Sequence, residues 1–208
     1  MDLFLQAWGG SFYLSNKILF SVAESLNEPR KRLFKIGGWV AYLLGVPAWV
    51  IILVSHNDWI AASIEAGGIP AMLLGLYNTI HNHQRVNRAF NTLVSLCTYS
   101  ALAFGFSVSL YHYGGLTSLS QILEVGVMFG FLLGSYFLAK GNRNGWLMFM
   151  LMNISMAALM FIQDKPILMA QQLLSLCFVL YGFVKSDNNH RAALAKQSSG
   201  SPKAGTPH

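Results

Sequence analysis

Charged side chains are scarce in this chain, 11% of 208 residues, where a soluble domain carries about a quarter. That shortage excludes an ordinary water-facing surface. Cysteine is scarcer still. Cys97 and Cys177 both fall inside apolar runs and read as small apolar fillers rather than a disulfide or a metal pair. No period-two alternation recurs over successive ten-residue segments, so a transmembrane barrel is excluded. The chain has no nucleophile–base cluster, metal-ligand cluster or nucleotide-binding motif, so neither an enzyme nor a cofactor is expected. The "HNH" at His81–His83 has metal-ligand spacing but reads as a solvated helix end, with histidines near the C-terminal dipole.

What the chain has in place of charge is apolar length. It is 54% hydrophobic with a mean hydropathy of +0.46. Its charges sit in clusters, and the stretches between them run about 18 to 22 residues, enough to cross roughly 30 Å of hydrocarbon as helices. The expected fold is therefore an all-α integral membrane protein with seven spans: Leu3–Val22, Ile36–Ser55, Trp59–Ile80, Thr92–His112, Leu119–Ala139, Trp146–Ile162 and Pro166–Val184. Asn16 and Lys17 interrupt the first span. A signal peptide is the other reading of that segment, but it lacks a basic leader and its apolar core breaks early.

Basic residues set the expected orientation. Arg30, Lys31, Arg32 and Lys35 follow span one, Arg85 and Arg88 follow span three, and Lys140 and Arg143 follow span five. Lys185, Arg191, Lys196 and Lys203 follow span seven, and the opposite loops carry only Lys165. The positive-inside bias puts the C-terminus in the cytoplasm and the N-terminus outside, in a cell inner (plasma) membrane. The net charge of +6 is accounted for by topology and needs no nucleic acid. Attraction to anionic membrane lipid is a secondary consequence. The polar tail from Ser186 is expected to be disordered.

The chain also repeats itself. Laying Gly38–Trp39 over Gly145–Trp146 without gaps brings Leu44 onto Leu151, Leu73 onto Leu180 and Gly75 onto Gly182. The short turns His56–Asp58 and Gln163–Lys165 coincide as well. The expected plan is 3+1+3: a first three-helix repeat over 1–90, a linking helix over 91–115, a second repeat over 116–185 and a tail over 186–208. An odd linker makes the repeats parallel, an organisation that in transporters places the substrate between the halves.

Polar groups inside a membrane are costly and face a partner or a cavity. Glu65 and Gln172 are equivalent in the repeat. Glu65 reads either as a ligand group or as a structural residue, paired with Lys17 or capping a neighbouring helix. Gln172 likewise is either a ligand group or interhelical glue. Glu124 falls near the outer end of its span and reads as interfacial. Trp39 and Trp146 lie at the cytoplasmic ends of their spans, where tryptophans anchor at the headgroups. Trp49 lies deeper, and Tyr42 mirrors Phe149. Pro47 and Pro70 each remove a helix hydrogen bond and are expected to kink their spans.

In span six, Trp146, Phe149 and Asn153 follow one another at intervals of three and four residues, and the next hairpin ends in Tyr181–Gly182. This pattern and the triplet–linker–triplet plan resemble the PnuC family of vitamin and nicotinamide riboside transporters, within the SWEET-like superfamily. Phe149 stands where that family usually has tryptophan. The resemblance implies a facilitator of a small water-soluble vitamin or nucleoside, with nicotinamide riboside first, thiamine or riboflavin next, and a homotrimer as its assembly. It places the substrate among Asn153, Gln172, Glu65, Trp49, Phe149, Trp146 and Tyr42. A non-transporting membrane assembly protein is the reading from another class.

Overall fold

The computed structural model describes residues 2–56, 58–81, 87–113, 115 and 117–199. Asn82 and His83 of the histidine stretch, Arg85, and Lys203 in the tail lie outside the described residues. All the regular structure described is helical: α1 (Asp2–Ala23), α2 (Arg30–Ser55), α3 (Trp59–Gly67), α4 (Ile69–Ile80), α5 (Arg88–Tyr113), α6 (Leu119–Ala139), α7 (Asn144–Ile162) and α8 (Pro166–Ser199). Six segments are long and apolar enough to cross a membrane, with α3 and α4 together forming one of them. The chain is a multi-pass, all-α membrane protein. Helix α1, with 22 residues, has the length of a span but is more polar than the six.

The sequence places most boundaries well, and α6 begins and ends where hydropathy puts it. Two local features differ. Pro47 lies within a continuous α2, whereas the third span breaks at Gly68, and Pro70 opens α4 in its first turn. Proline is tolerated there because the first-turn N–H groups have no intrahelical acceptor. A methyl carbon at Gly68 would come within 2.6 Å of the Phe131 ring, so the break also admits an aromatic from α6. Over residues 186–199 the tail is helical rather than disordered, since α8 continues to Ser199, and the rest of it lies outside the described residues. Asp187 explains part of this by pairing with Arg143 and, at 2.7 Å, with Arg191 one turn on. The Arg-Ala-Ala-Leu-Ala-Lys stretch that follows is rich in good helix formers.

Packing runs from α1 to α2, from α2 to α3 and α4, from these to α6, then through α7 and α8 back to α1. The chain of contacts closes on itself. Helix α5 packs on α3, α4 and α6, and not on the other four. Where helices meet, small residues bring backbones together, as membrane interfaces require. Gly130 and Gly145 bring the backbones of α6 and α7 together, and an added methyl there would strike backbone atoms at 2.6 to 2.7 Å. Side-chain amides and hydroxyls bind backbone carbonyls across the remaining seams. Asn16 Nδ2 donates to Gly38 O at 2.9 Å, Asn78 Nδ2 to Ala139 O at 2.9 Å, and Ser21 Oγ to Phe178 O at 2.6 Å. The outward faces carry exposed Leu96, Phe104, Ile154, Ile167 and Leu174, as hydrocarbon contact demands.

Candidate functional site

The helices turn an aromatic and polar cluster toward the middle of the bundle. Tyr42 comes from α2 and Phe149 from α7, helices that do not pack directly on each other, yet their rings meet with centroids 6.3 Å apart. Tyr42 also stands edge-on to Phe131 at 6.0 Å and to Tyr13 at 5.0 Å, and Ser135 Oγ donates to its hydroxyl at 3.3 Å. Lys17 reaches in from α1. Its Nζ lies 3.3 Å from the Phe149 ring centre and 4.8 Å from that of Tyr42.

Several polar atoms here have no partner. Lys17 is 3% exposed, and its Nζ has no hydrogen-bond acceptor among the described residues. Asn153 is wholly buried. Its Nδ2 donates to Phe149 O in its own helix at 2.7 Å, and its Oδ1 has no donor. Asn16 Oδ1 and Trp49 Nε1 are in the same position.

Of the residues the sequence nominates, Tyr42, Phe149 and Asn153 therefore lie in or beside one buried cluster. Trp146 is buried but does not anchor at a headgroup interface, and neither does Trp39. Each indole instead fills the space left by a glycine. A methyl at Gly75 would come within 2.2 Å of the Trp39 ring, and one at Gly182 within 2.5 Å of Trp146. Trp49 forms a second, outer group with Tyr13 at 6.3 Å. Glu65 does not pair with Lys17. Its carboxylate accepts from the Tyr13 hydroxyl, which leaves Lys17 without an ionic partner. Gln172 is half-buried, and the amide that crosses from α8 to α1 is its neighbour Gln171, whose Nε2 donates to Gly10 O at 3.1 Å. Glu124 is exposed near the start of α6, as its position implies.

In the sequence Lys17 and Asn16 read only as interruptions of span one, whereas the structure brings Lys17 into the cluster. The signal was present in their cost, since an intramembrane lysine is retained only for a purpose. What the sequence lacks is the direction in which α1 turns that lysine.

At one end of the bundle, the carboxylate of Glu24 binds Lys31 and Lys35, each at 2.9 Å. Burial alone would raise the Glu24 carboxyl, but the two ammonium groups outweigh it and hold it below the ordinary carboxylate value. A groove of about 400 Å³ opens beside it, lined by Asn27, Glu28, Lys185 and Asn189 among others.

Comparison with protein-family models, with curated proteins and with solved structures finds no match to this chain.

Proposed function

We propose that the chain is a membrane transporter, a facilitator that passes a small, water-soluble, ring-bearing solute between two parallel three-helix repeats. In this reading α1, α2 and the broken α3–α4 span form one repeat, α6, α7 and α8 form the other, and α5 links them. The observation that carries the proposal is the buried meeting of Tyr42 and Phe149. They occupy equivalent positions in the two repeats and touch each other in the middle of the bundle, beside polar atoms that lack partners. Aromatic faces with unspent hydrogen-bonding groups are what a planar solute requires of a site.

The repeat reading has independent support. Trp39 seats on Gly75 and Trp146 on Gly182, the same pairing made twice at a constant offset in the chain. The resemblance to PnuC transporters adds a substrate class, vitamins and nucleosides, and puts nicotinamide riboside first within it. The broken third span beside Phe131 is of the kind transporters place at their sites.

The test is uptake by liposomes containing the purified protein. Radiolabelled nicotinamide riboside, thiamine, riboflavin, uridine and nicotinate form the panel. At least one should enter saturably and stop at equal concentrations, and Phe149→Ala should slow that entry at least tenfold. If none enters faster than into protein-free liposomes while the protein is folded and monodisperse, the transport reading fails and a membrane assembly role replaces it.

A further inference from the structure

We propose that Lys17 is the counter-charge for an anionic group on the transported solute, so that the central cluster takes planar ring carboxylates. The inference rests on the transport reading and narrows its substrate class.

Lys17 is a buried amine without a counter-ion among the described residues. The carboxylates that could neutralise it are engaged elsewhere: Glu65 accepts from Tyr13, and Glu24 holds Lys31 and Lys35. Its ammonium has no hydrogen-bond acceptor and sits against two ring faces. Cation–π attraction replaces only part of the hydration an ammonium loses on burial. An amine held this way keeps its proton most readily when an anion arrives beside it.

The neighbouring groups describe the rest of the ligand. Lys17 covers the Phe149 and Tyr42 faces, so a planar ring stacks there as the lysine turns onto its anion. Asn153 Oδ1, buried and without a donor among the described residues, calls for a ring N–H or a hydroxyl. One ammonium matches one carboxylate, whereas a phosphate would bring nearly two negative charges to a single cation. A pyridinium cation such as nicotinamide riboside would meet Lys17 with a like charge. The inference therefore moves the expected substrate from a cationic nucleoside to a heteroaromatic acid with a hydrogen-bond donor.

Matched pairs that exchange a carboxylate for its carboxamide test this. Binding and uptake of nicotinate against nicotinamide, and of orotate against orotamide, are measured on the full-length protein in detergent and in liposomes. The carboxylates should bind at least tenfold more tightly. Lys17→Met should erase the difference with its melting temperature kept or raised, and Lys17→Arg should retain it. Equal affinities within each pair, or a preference for the carboxamides, overturn the inference in the wild-type protein alone, whatever the variants do. A carboxylate preference that survives Lys17→Met also overturns it. In each of these cases a ring solute is still bound and the transport reading stands. If neither pair binds and the uptake panel is also inert, the transport reading falls together with the inference.

Discussion

Asn153 spends one end of its amide on its own helix and leaves the other end unpaired. It is therefore not bridging helices, and removing it breaks no bond between elements. At about 1.5 Å rise per residue it lies roughly 10 Å along α7 from Trp146, level with the meeting of the two repeats. If Oδ1 accepts from the solute, its loss should cost about 1–3 kcal/mol of affinity. Asn153→Leu is expected to weaken binding about tenfold at an unchanged or higher melting temperature. Both quantities are measured on the same purified variant. A lower melting temperature with unaltered affinity would return Asn153 to a structural role. Trp146, Phe149 and Asn153 were legible in the sequence as one face of one helix. Lys17 was legible only as an interruption. Periodicity ranks faces within a helix, but it does not say which face meets which neighbour. For the same reason Trp39 and Trp146 read as lipid-interface anchors. Hydropathy records where water is excluded and not whether lipid or protein excludes it.

The seam between paired helices behaves as a unit larger than any residue. Trp39 of α2 lies over Gly75 of α4, and Trp146 of α7 over Gly182 of α8. Gly182→Ala puts a methyl into the Trp146 ring and should destabilise by about 1–3 kcal/mol, as overpacked cores do. Gly75→Ala should do the same to Trp39. Adding Trp146→Phe to Gly182→Ala should recover much of the loss, because the smaller ring vacates the contested space. Thermal denaturation in detergent reads all three, and an unaltered midpoint for Gly182→Ala would contradict the seating. Element ends carry a second dependence. The depressed Glu24 carboxyl stabilises the fold above its ordinary value of 4.5, and that contribution disappears as pH falls through the lower, folded-state value. The melting temperature should drop on acidification below about 4.5, and Glu24→Gln should flatten that acid limb while lowering stability at neutral pH. A limb of the same slope in the variant assigns it to other carboxylates. The continuation of α8 to Ser199 shows where reading elements from hydropathy stops. The apolar signal ends near Val184, but helix formation continues on propensity and on the Asp187 pairs, which a search for spans does not weigh.

For the whole molecule, the decisive question is how many times the chain crosses. Six segments satisfy the length and hydropathy of a span, and α1 alone falls short on polarity. Yet α1 runs antiparallel along α2, with Trp8 Nε1 donating to Leu44 O at 3.0 Å and Asn16 to Gly38 O at 2.9 Å. It also closes the contact chain with α8. Asn16, Lys17 and Ser21 are buried against partners and the cluster, so much of its poor hydropathy comes from what it brings inside the bundle. The basic end of the bundle is one connected surface. Arg32 binds the carbonyls at the end of α4, Asp187 joins Arg143 to Arg191, and Asn189 Nδ2 donates to Glu24 O at 2.9 Å. With seven crossings the two chain ends would fall on opposite sides, and the positive-inside bias predicts a cytoplasmic C-terminus. A phosphatase fused to the C-terminus should be inactive in the periplasm. Leu3→Cys, in a background lacking Cys97 and Cys177, should react with a membrane-impermeant maleimide in whole cells. Labelling without phosphatase activity is the seven-span result. A silent Leu3→Cys with a cytoplasmic C-terminus would leave α1 on the inner surface. That outcome would remove Lys17 from the membrane interior, and both the paired repeats and the anion site would have to be abandoned.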